Sequence, residues 1–99
     1  MFRHIVMWNY KEGSNTAKNE EGGQKVKAAL MGLKTLVPEI VDIHVHINQL
    51  SYSTKDIMLD VAFADEAGFL AYMDNADHKA VFPIVGEYLT DRVAFDYQE

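Results

Sequence analysis

The sequence predicts one α+β domain over residues 1–99, with the element order β-α-β-β-α-β and a four-stranded antiparallel sheet ordered 4-1-3-2. Three observations lead to this fold class. Four segments are rich in β-branched and aromatic residues, as strands are. Two segments repeat apolar residues with a helical period, one between strands one and two and one between strands three and four. Right-handed crossovers then place both helices on one face of the sheet.

The first strand is predicted from Phe2 to Tyr10. Both of its faces are largely apolar, so we expect both to be covered. A loop over residues 12–16 follows, and the residues in it that can cap the next helix are Ser14, Asn15 and Thr16.

The first helix ends at Pro38, which cannot continue it. Gly22 and Gly23 are each expected to weaken its first turns by about 1 kcal/mol relative to Ala. Its inward apolar stripe consists of Val26, Ala29, Leu30, Leu33, Leu36 and Val37.

The two middle strands form a hairpin around a polar turn over residues 48–55. The later strand spans residues 56–63. In the earlier strand, the apolar residues that alternate with polar ones are Val41, Ile43, Val45 and Ile47.

The C-terminal part begins with a short helix that Asp65 caps and that runs through Met73. A second helical piece over residues 76–89 is expected to kink at Pro83, which removes a backbone donor. Residues 90–97 form the last strand.

The face of the sheet opposite the helices is predicted to remain apolar. Since a monomer rarely exposes such a patch, we expect a second copy of the chain to cover it and form a homodimer. The residues that carry this prediction are Ile5, Met7, Met58, Ala62, Val93 and Phe95.

The composition excludes several classes of function. A net charge of −6 argues against nucleic acid and anionic membranes as partners, because both need a basic patch. The absence of cysteine excludes disulfides, thiolate nucleophiles and cysteine-ligated metal centres. No segment approaches the ~20 apolar residues of a membrane span, and no signal peptide is evident. We therefore expect a cytoplasmic protein without a cofactor.

Several polar residues are placed unusually. His78 lies on the apolar stripe of the last helix with Val81 and Phe82, where it is either a core histidine with one hydrogen bond or a functional group. His4 and Asp96 become cross-strand neighbours in the predicted sheet, either as a structural pair or as a carboxylate that orients an imidazole.

Tyr72 is the third candidate, because a buried phenol needs a hydrogen-bond partner. With His4, His78 and Asp96 it could line one cavity and supply a base, an orienting acid and a phenolic donor for proton transfer next to a carbonyl. The apolar residues expected to line this cavity are Val6, Trp8, Val26, Leu30, Leu59, Val61 and Phe82. His44 and His46 form an H-x-H pair that could bind a metal, but no third ligand is evident, so we interpret them as a solvated or interface face.

Five segments of the chain, taken in order, match a known pattern: RHIVMW at residues 3–8, LVPEI at 36–40, DIMLDVAF at 56–63, YMDNADH at 72–78 and FDY at 95–97. In these segments the chain resembles the stress-responsive dimeric α/β-barrel (Dabb) family. This resemblance implies a ferredoxin-like fold and a homodimer. The family includes plant stress proteins and the polyketide cyclase olivetolic acid cyclase.

The resemblance also implies roles for the polar residues. His78 would be the general base, Tyr72 would polarise a carbonyl, and Asp96 and His4 would orient or tune them. One position departs from the family: where His-Pro-x-His is usual, this chain has Asn75, Ala76, Asp77 and His78.

Two functions remain open, a small-molecule enzyme of cyclase, isomerase or lyase type, and a non-catalytic stress-responsive ligand-binding or structural dimer.

Overall fold

The computed structural model describes residues 1–11, 17–48 and 50–99. The proposed caps Ser14, Asn15 and Thr16 lie outside the described residues. The elements in chain order are β1 (Phe2–Tyr10), α1 (Ala17–Met31), α2 (Leu33–Leu36), β2 (Ile40–Ile47), β3 (Ile57–Phe63), α3 (Glu66–Asp74), α4 (Ala76–Lys79), α5 (Phe82–Tyr88) and β4 (Leu89–Gln98).

The four strands form one sheet in the order β2-β3-β1-β4. Each neighbouring pair is antiparallel. This arrangement confirms the predicted 4-1-3-2 topology. Strand β1 has the predicted bounds, because its alternating apolar residues bury one face against the helices while its backbone pairs on both sides.

The core lies between the sheet and the helices. Strand β1 contributes Val6 and Trp8, α1 contributes Val26 and Leu30, and further residues come from every other strand. Asp65 caps α3 as predicted, and its side chain accepts a hydrogen bond of 2.9 Å from the backbone N–H of Gly68.

The two early glycines of α1 have a packing role that the sequence did not indicate. A Cβ atom on Gly22 would lie 2.3 Å from Cδ1 of Tyr88, and one on Gly23 would lie 2.4 Å from the hydroxyl of Tyr10. Both glycines are buried. The helical propensity that they cost is therefore offset by the close approach of α1 to α5 and β1.

Two apolar residues predicted to face inwards are exposed instead. Leu36 is 54% exposed, because the helix is interrupted after Met31 and the short α2 turns only Leu33 into the core. Val41 is 44% exposed, because the pairing of β2 with β3 shifts register between Ile40 and Asp42. A shift of one residue exchanges the two faces of a strand.

The predicted kink at Pro83 is a break between two helices. α4 ends at Lys79, and Pro83 occupies the first turn of α5, where its missing N–H costs nothing. His78 stays buried on the sheet side, whereas Phe82 is 51% exposed. Within the described residues, no helix combines the length and the apolar character needed to cross a membrane.

The helix-free face of the sheet carries the expected apolar side chains on β4. Val93 is 43% exposed and Phe95 is 65% exposed. Ala62 differs from the expectation because it is fully buried, opposite Arg3 in the register of β1 and β3. Arg3 also donates to both carboxylate oxygens of Asp60 at 3.1 Å.

Candidate functional site

His78 is held in place by Asn75, a residue at which the chain departs from the pattern of the family that it resembles. The side chain of Asn75 accepts hydrogen bonds from the backbone N–H groups of Asp77 at 2.8 Å and His78 at 3.3 Å. Asn75 is therefore the N-cap of α4. The cap directs the His78 side chain into the protein, where only 7% of it is exposed. The preference of asparagine for this position was the signal that could have identified it.

Tyr72 lies directly against His78. Their rings stack with centroids 3.9 Å apart and planes 30° apart. Tyr72 is fully buried. Its hydroxyl and Nδ1 of His78 are both buried and have no hydrogen-bond partner among the described residues. Because an unpaired buried polar atom costs about 1–3 kcal/mol, two of them on a stacked pair of side chains require an explanation.

His4 and Asp96 are paired as expected from the strand order. They face each other in the register of β1 and β4, and Nδ1 of His4 hydrogen-bonds a carboxylate oxygen of Asp96. His4 is only 3% exposed. Its ring lies 6.3 Å from that of Tyr72, edge towards face. The four predicted polar residues thus form two adjacent pairs.

The electrostatics of the stacked pair favour a neutral imidazole and a neutral phenol. Burial and, to a smaller extent, the nearby charge of His4 lower the pKa of His78 to about 4, although attraction to backbone carbonyls offsets part of these effects. Burial also raises the pKa of Tyr72 well above its usual range. At neutral pH, His78 can therefore accept a proton, whereas Tyr72 keeps its proton and can donate a hydrogen bond.

A cavity of about 440 Å³ opens beside these residues. This volume falls within the range of about 300–1,000 Å³ that is typical of small-molecule sites. Both His4 and His78 line it. The predicted apolar residues that also line it are Val6, Trp8, Leu30, Leu59 and Phe82.

Four of the predicted site residues do not line this cavity. Val26 and Val61 are fully buried in the core. Tyr72 stacks on His78 but does not line the cavity. Asp96 hydrogen-bonds His4 and does not line the cavity either. Two charged lining residues, Asp91 and Arg92, were not predicted, because nothing in their local pattern distinguishes them from surface residues of β4.

His44 and His46 lie apart from the cavity. Their rings are 6.3 Å apart and both residues are exposed. His44 approaches one carboxylate, that of Asp42, at 3.9 Å. In the part of the chain that the structure describes, no three histidine, aspartate or glutamate residues are grouped so that they could hold a metal ion.

Comparison with known proteins gives the family. The sequence model of the stress responsive A/B barrel domain, Dabb, matches residues 2–99. The chain belongs to the Dabb family. No curated protein sequence matches it significantly.

Solved structures of the same fold agree with the Dabb assignment. A dimeric protein of unknown function with a ferredoxin-like fold from Bacteroides fragilis is 22% identical, with a TM-score of 0.89 over 99% of this chain and 95% of that one. A dimeric ferredoxin-like protein of unknown function from Thermobifida fusca is 28% identical, with a TM-score of 0.80 over 99% and 90%. A Dabb family protein from Mesorhizobium loti is 19% identical, with a TM-score of 0.75 over 99% and 95%. The fold of this Dabb chain is therefore ferredoxin-like.

Proposed function

We propose that this Dabb protein binds a small carbonyl-containing molecule in the cavity between sheet and helices and transfers a proton on it. His78 acts as the base and Tyr72 as the hydrogen-bond donor. The observation that carries the proposal is the stacked pair itself, in which both functional atoms are buried and have no partner among the described residues, and in which His78 lines a largely apolar cavity. A ligand carbonyl would supply the acceptor that the phenol lacks.

The protonation states suit this division of roles. His78 is neutral at neutral pH and can take a proton from the carbon next to the carbonyl. Tyr72 keeps its proton and can stabilise the negative charge that develops on the carbonyl oxygen. Tyr72 stacks on His78 and does not line the cavity, so the proposed contact between its hydroxyl and a ligand requires the His78 ring to move. His4 is oriented by its hydrogen bond to Asp96 and forms part of the cavity wall near His78 and Tyr72.

The reaction class follows from this chemistry. Removal of a proton next to a carbonyl leads to isomerisation, aldol cyclisation or, in reverse, cleavage of a carbon–carbon bond. The described cavity residues include no serine positioned beside a base, so acyl transfer through a serine nucleophile is not supported.

Proton abstraction can be measured without the natural substrate. We would incubate the protein in D₂O with 4-phenylbutan-2-one and with 2-oxo-4-phenylbutanoate and follow deuterium entry next to the carbonyl by proton NMR. Wild type should accelerate exchange, and His78→Gln and Tyr72→Phe should each lose about 10²–10⁴-fold, the usual contribution of general acid–base groups. His44→Gln removes an exposed histidine outside the cavity and serves as the matched control. Equal exchange by wild type and His78→Gln would contradict the role of His78.

A non-catalytic ligand-binding function is the second candidate. It is favoured by the pKa of about 4 for His78, which makes a weak base at neutral pH. The position of Tyr72 outside the cavity lining also favours it. This candidate predicts saturable binding of the same ketones, seen by ligand-observed NMR, without any acceleration of exchange.

We also propose that the protein is a homodimer joined through the helix-free face of the sheet. Val93 and Phe95 expose apolar surface there, and two of the similar solved structures are described as dimeric. Phe95→Lys should convert the dimer to a monomer in size-exclusion chromatography with light scattering. Leu70→Lys changes an equally exposed apolar residue on α3 and should leave the dimer intact. An unchanged dimer in Phe95→Lys would place the interface elsewhere.

A further inference from the structure

Arg92 is the one permanent cation among the described residues that line the cavity. It is exposed, and no ion pair or hydrogen bond joins its guanidinium to any described residue. The whole chain carries a net charge of −6. Asp91, Thr90 and the two histidines also line the cavity, but Arg92 forms no ion pair with a described residue, and the proton-transfer chemistry does not use it.

A β-bulge directs Arg92 towards the cavity. In the pairing of β1 with β4, Met7 faces Val93 and Asn9 faces Thr90, so that Asp91 and Arg92 together lie opposite Trp8. Two consecutive residues of a regular strand point to opposite faces. At this bulge both Asp91 and Arg92 line the cavity.

The backbone at the bulge adopts an unusual conformation. Asp91 has a φ of 55°, the only positive value among the described non-glycine residues. Lys55 donates a hydrogen bond of 3.1 Å to the carbonyl oxygen of Asp91 and holds this conformation. Left-handed backbone in a non-glycine residue costs free energy and is concentrated at functional sites. The bulge also turns Leu89 to the buried side, where it is 4% exposed.

We propose that Arg92 determines substrate specificity and that the cavity takes a carbonyl compound that carries a carboxylate. The guanidinium binds the carboxylate at the cavity edge, the apolar body fills the cavity, and the carbonyl lies against His78. An arginine fork matches a carboxylate in geometry as well as charge. This inference rests on the proposed function, since it names the class of molecule for the same cavity.

The charge of Arg92 affects the pKa values of both Tyr72 and His78. It lowers the pKa of Tyr72 and that of His78, in each case as a smaller effect than burial. A bound carboxylate would neutralise this charge. The pKa of His78 should then be higher with an acidic ligand bound than with a neutral ligand of the same shape, because only the acidic ligand offsets the charge of Arg92.

Arg92 also remains accessible in the proposed dimer. In the register of β4 it lies on the side of Trp8, which faces the helices, whereas Val93 and Phe95 lie on the opposite face. A partner copy on the helix-free face would therefore leave Arg92 open to ligands. Asp91 also lines the cavity, so the test must separate the effect of Arg92 from the net charge of the bulge.

The experiment compares two probes with the same apolar body, 2-oxo-4-phenylbutanoate and its primary amide. Their dissociation constants are measured by titration calorimetry for wild type, Arg92→Gln, Arg92→Lys and the control Lys34→Gln. The control removes the same charge from an exposed residue of α2. Wild type should bind the acid about 10- to 100-fold more tightly than the amide, the contribution expected of a charge-assisted hydrogen bond. Arg92→Gln should abolish this preference, Arg92→Lys should restore part of it, and Lys34→Gln should retain it.

The outcomes separate this inference from the proposed function. If wild type and Arg92→Gln bind acid and amide equally well and still exchange deuterium, Arg92 has no role in specificity while the proton-transfer function stands. If wild type binds neither probe, the proposed function of the cavity fails, and the inference fails with it. The pKa of His78, followed by NMR titration of its ring protons, should be higher with the acid bound than with the amide bound.

Discussion

Replacing Tyr72 by phenylalanine should stabilise the ligand-free protein. The substitution removes one oxygen atom that is buried and has no partner among the described residues, and it keeps the ring that stacks on His78. Burial of an unpaired hydroxyl costs about 1–3 kcal/mol. The small void left by the oxygen offsets part of the gain. We therefore expect the free energy of unfolding to rise by about 1 kcal/mol.

Thermal and urea unfolding followed by circular dichroism would measure this change. For a domain of about 100 residues, 1 kcal/mol corresponds to a rise in Tm of about 4–8 °C. Protein concentration must be equal in all samples, because dimerisation contributes to the apparent stability. The control is Tyr52→Phe, which removes a hydroxyl from a side chain that is 91% exposed, and it should change the unfolding free energy by less than about 0.5 kcal/mol.

A lower Tm for Tyr72→Phe would refute the argument, because it would show that the hydroxyl has a stabilising partner in the free protein. The same variant allows a second test, in which the stabilisation caused by an added ligand is measured. If the phenol binds a ligand carbonyl, a ketone should stabilise wild type more than Tyr72→Phe. Stabilisation in the free form combined with weaker ligand binding is typical of a residue kept for function.

Two further predictions concern stability. The pKa of His78 is about 4 in the folded protein and 6.5 in the unfolded reference, so the unfolded state binds more protons between these values and stability falls as the pH is lowered from about 6.5 to 4. In urea titrations across this pH range, the free energy of unfolding of wild type should fall by roughly 3 kcal/mol relative to that of His78→Gln. An identical pH dependence of the two proteins would contradict a buried, neutral His78. Gly22→Ala should lower the free energy of unfolding by about 1–3 kcal/mol, because its Cβ would clash with Tyr88. Gly86→Ala should raise it by up to about 1 kcal/mol, because no atom lies within 4 Å of the new Cβ. Equal effects of the two glycine substitutions in urea unfolding would argue against the close approach at Gly22.

Much of the candidate site was predictable because it depends on strand order. Once β1 and β4 are antiparallel neighbours, the positions of His4 and Asp96 near opposite ends of their strands make them partners. Helical spacing placed His78 on the buried side. The contact of Tyr72 with His78 could be suspected because a buried phenol needs a partner, but the stack with both polar atoms unpaired could not be foreseen.

The shape of the cavity and part of its lining could not be predicted, because they depend on where the helices end and where the register of the strands shifts. Phe82 was expected on a continuous stripe and is exposed because the helical region divides before α5. Arg92 lines the cavity through a one-residue bulge, and strand alternation alone does not reveal a bulge.

The amino-acid sequence by itself determined the class of fold, the strand order and the bounds of β1. These follow from local periodicity and from the handedness of crossovers, both of which act within short stretches of chain. The tertiary structure alone decided that Gly22 must lack a side chain, that Val41 faces solvent and that Arg92 faces the cavity. Each of these depends on how closely two distant segments approach or on a single-residue shift in their pairing, and such long-range packing leaves no mark in the local pattern.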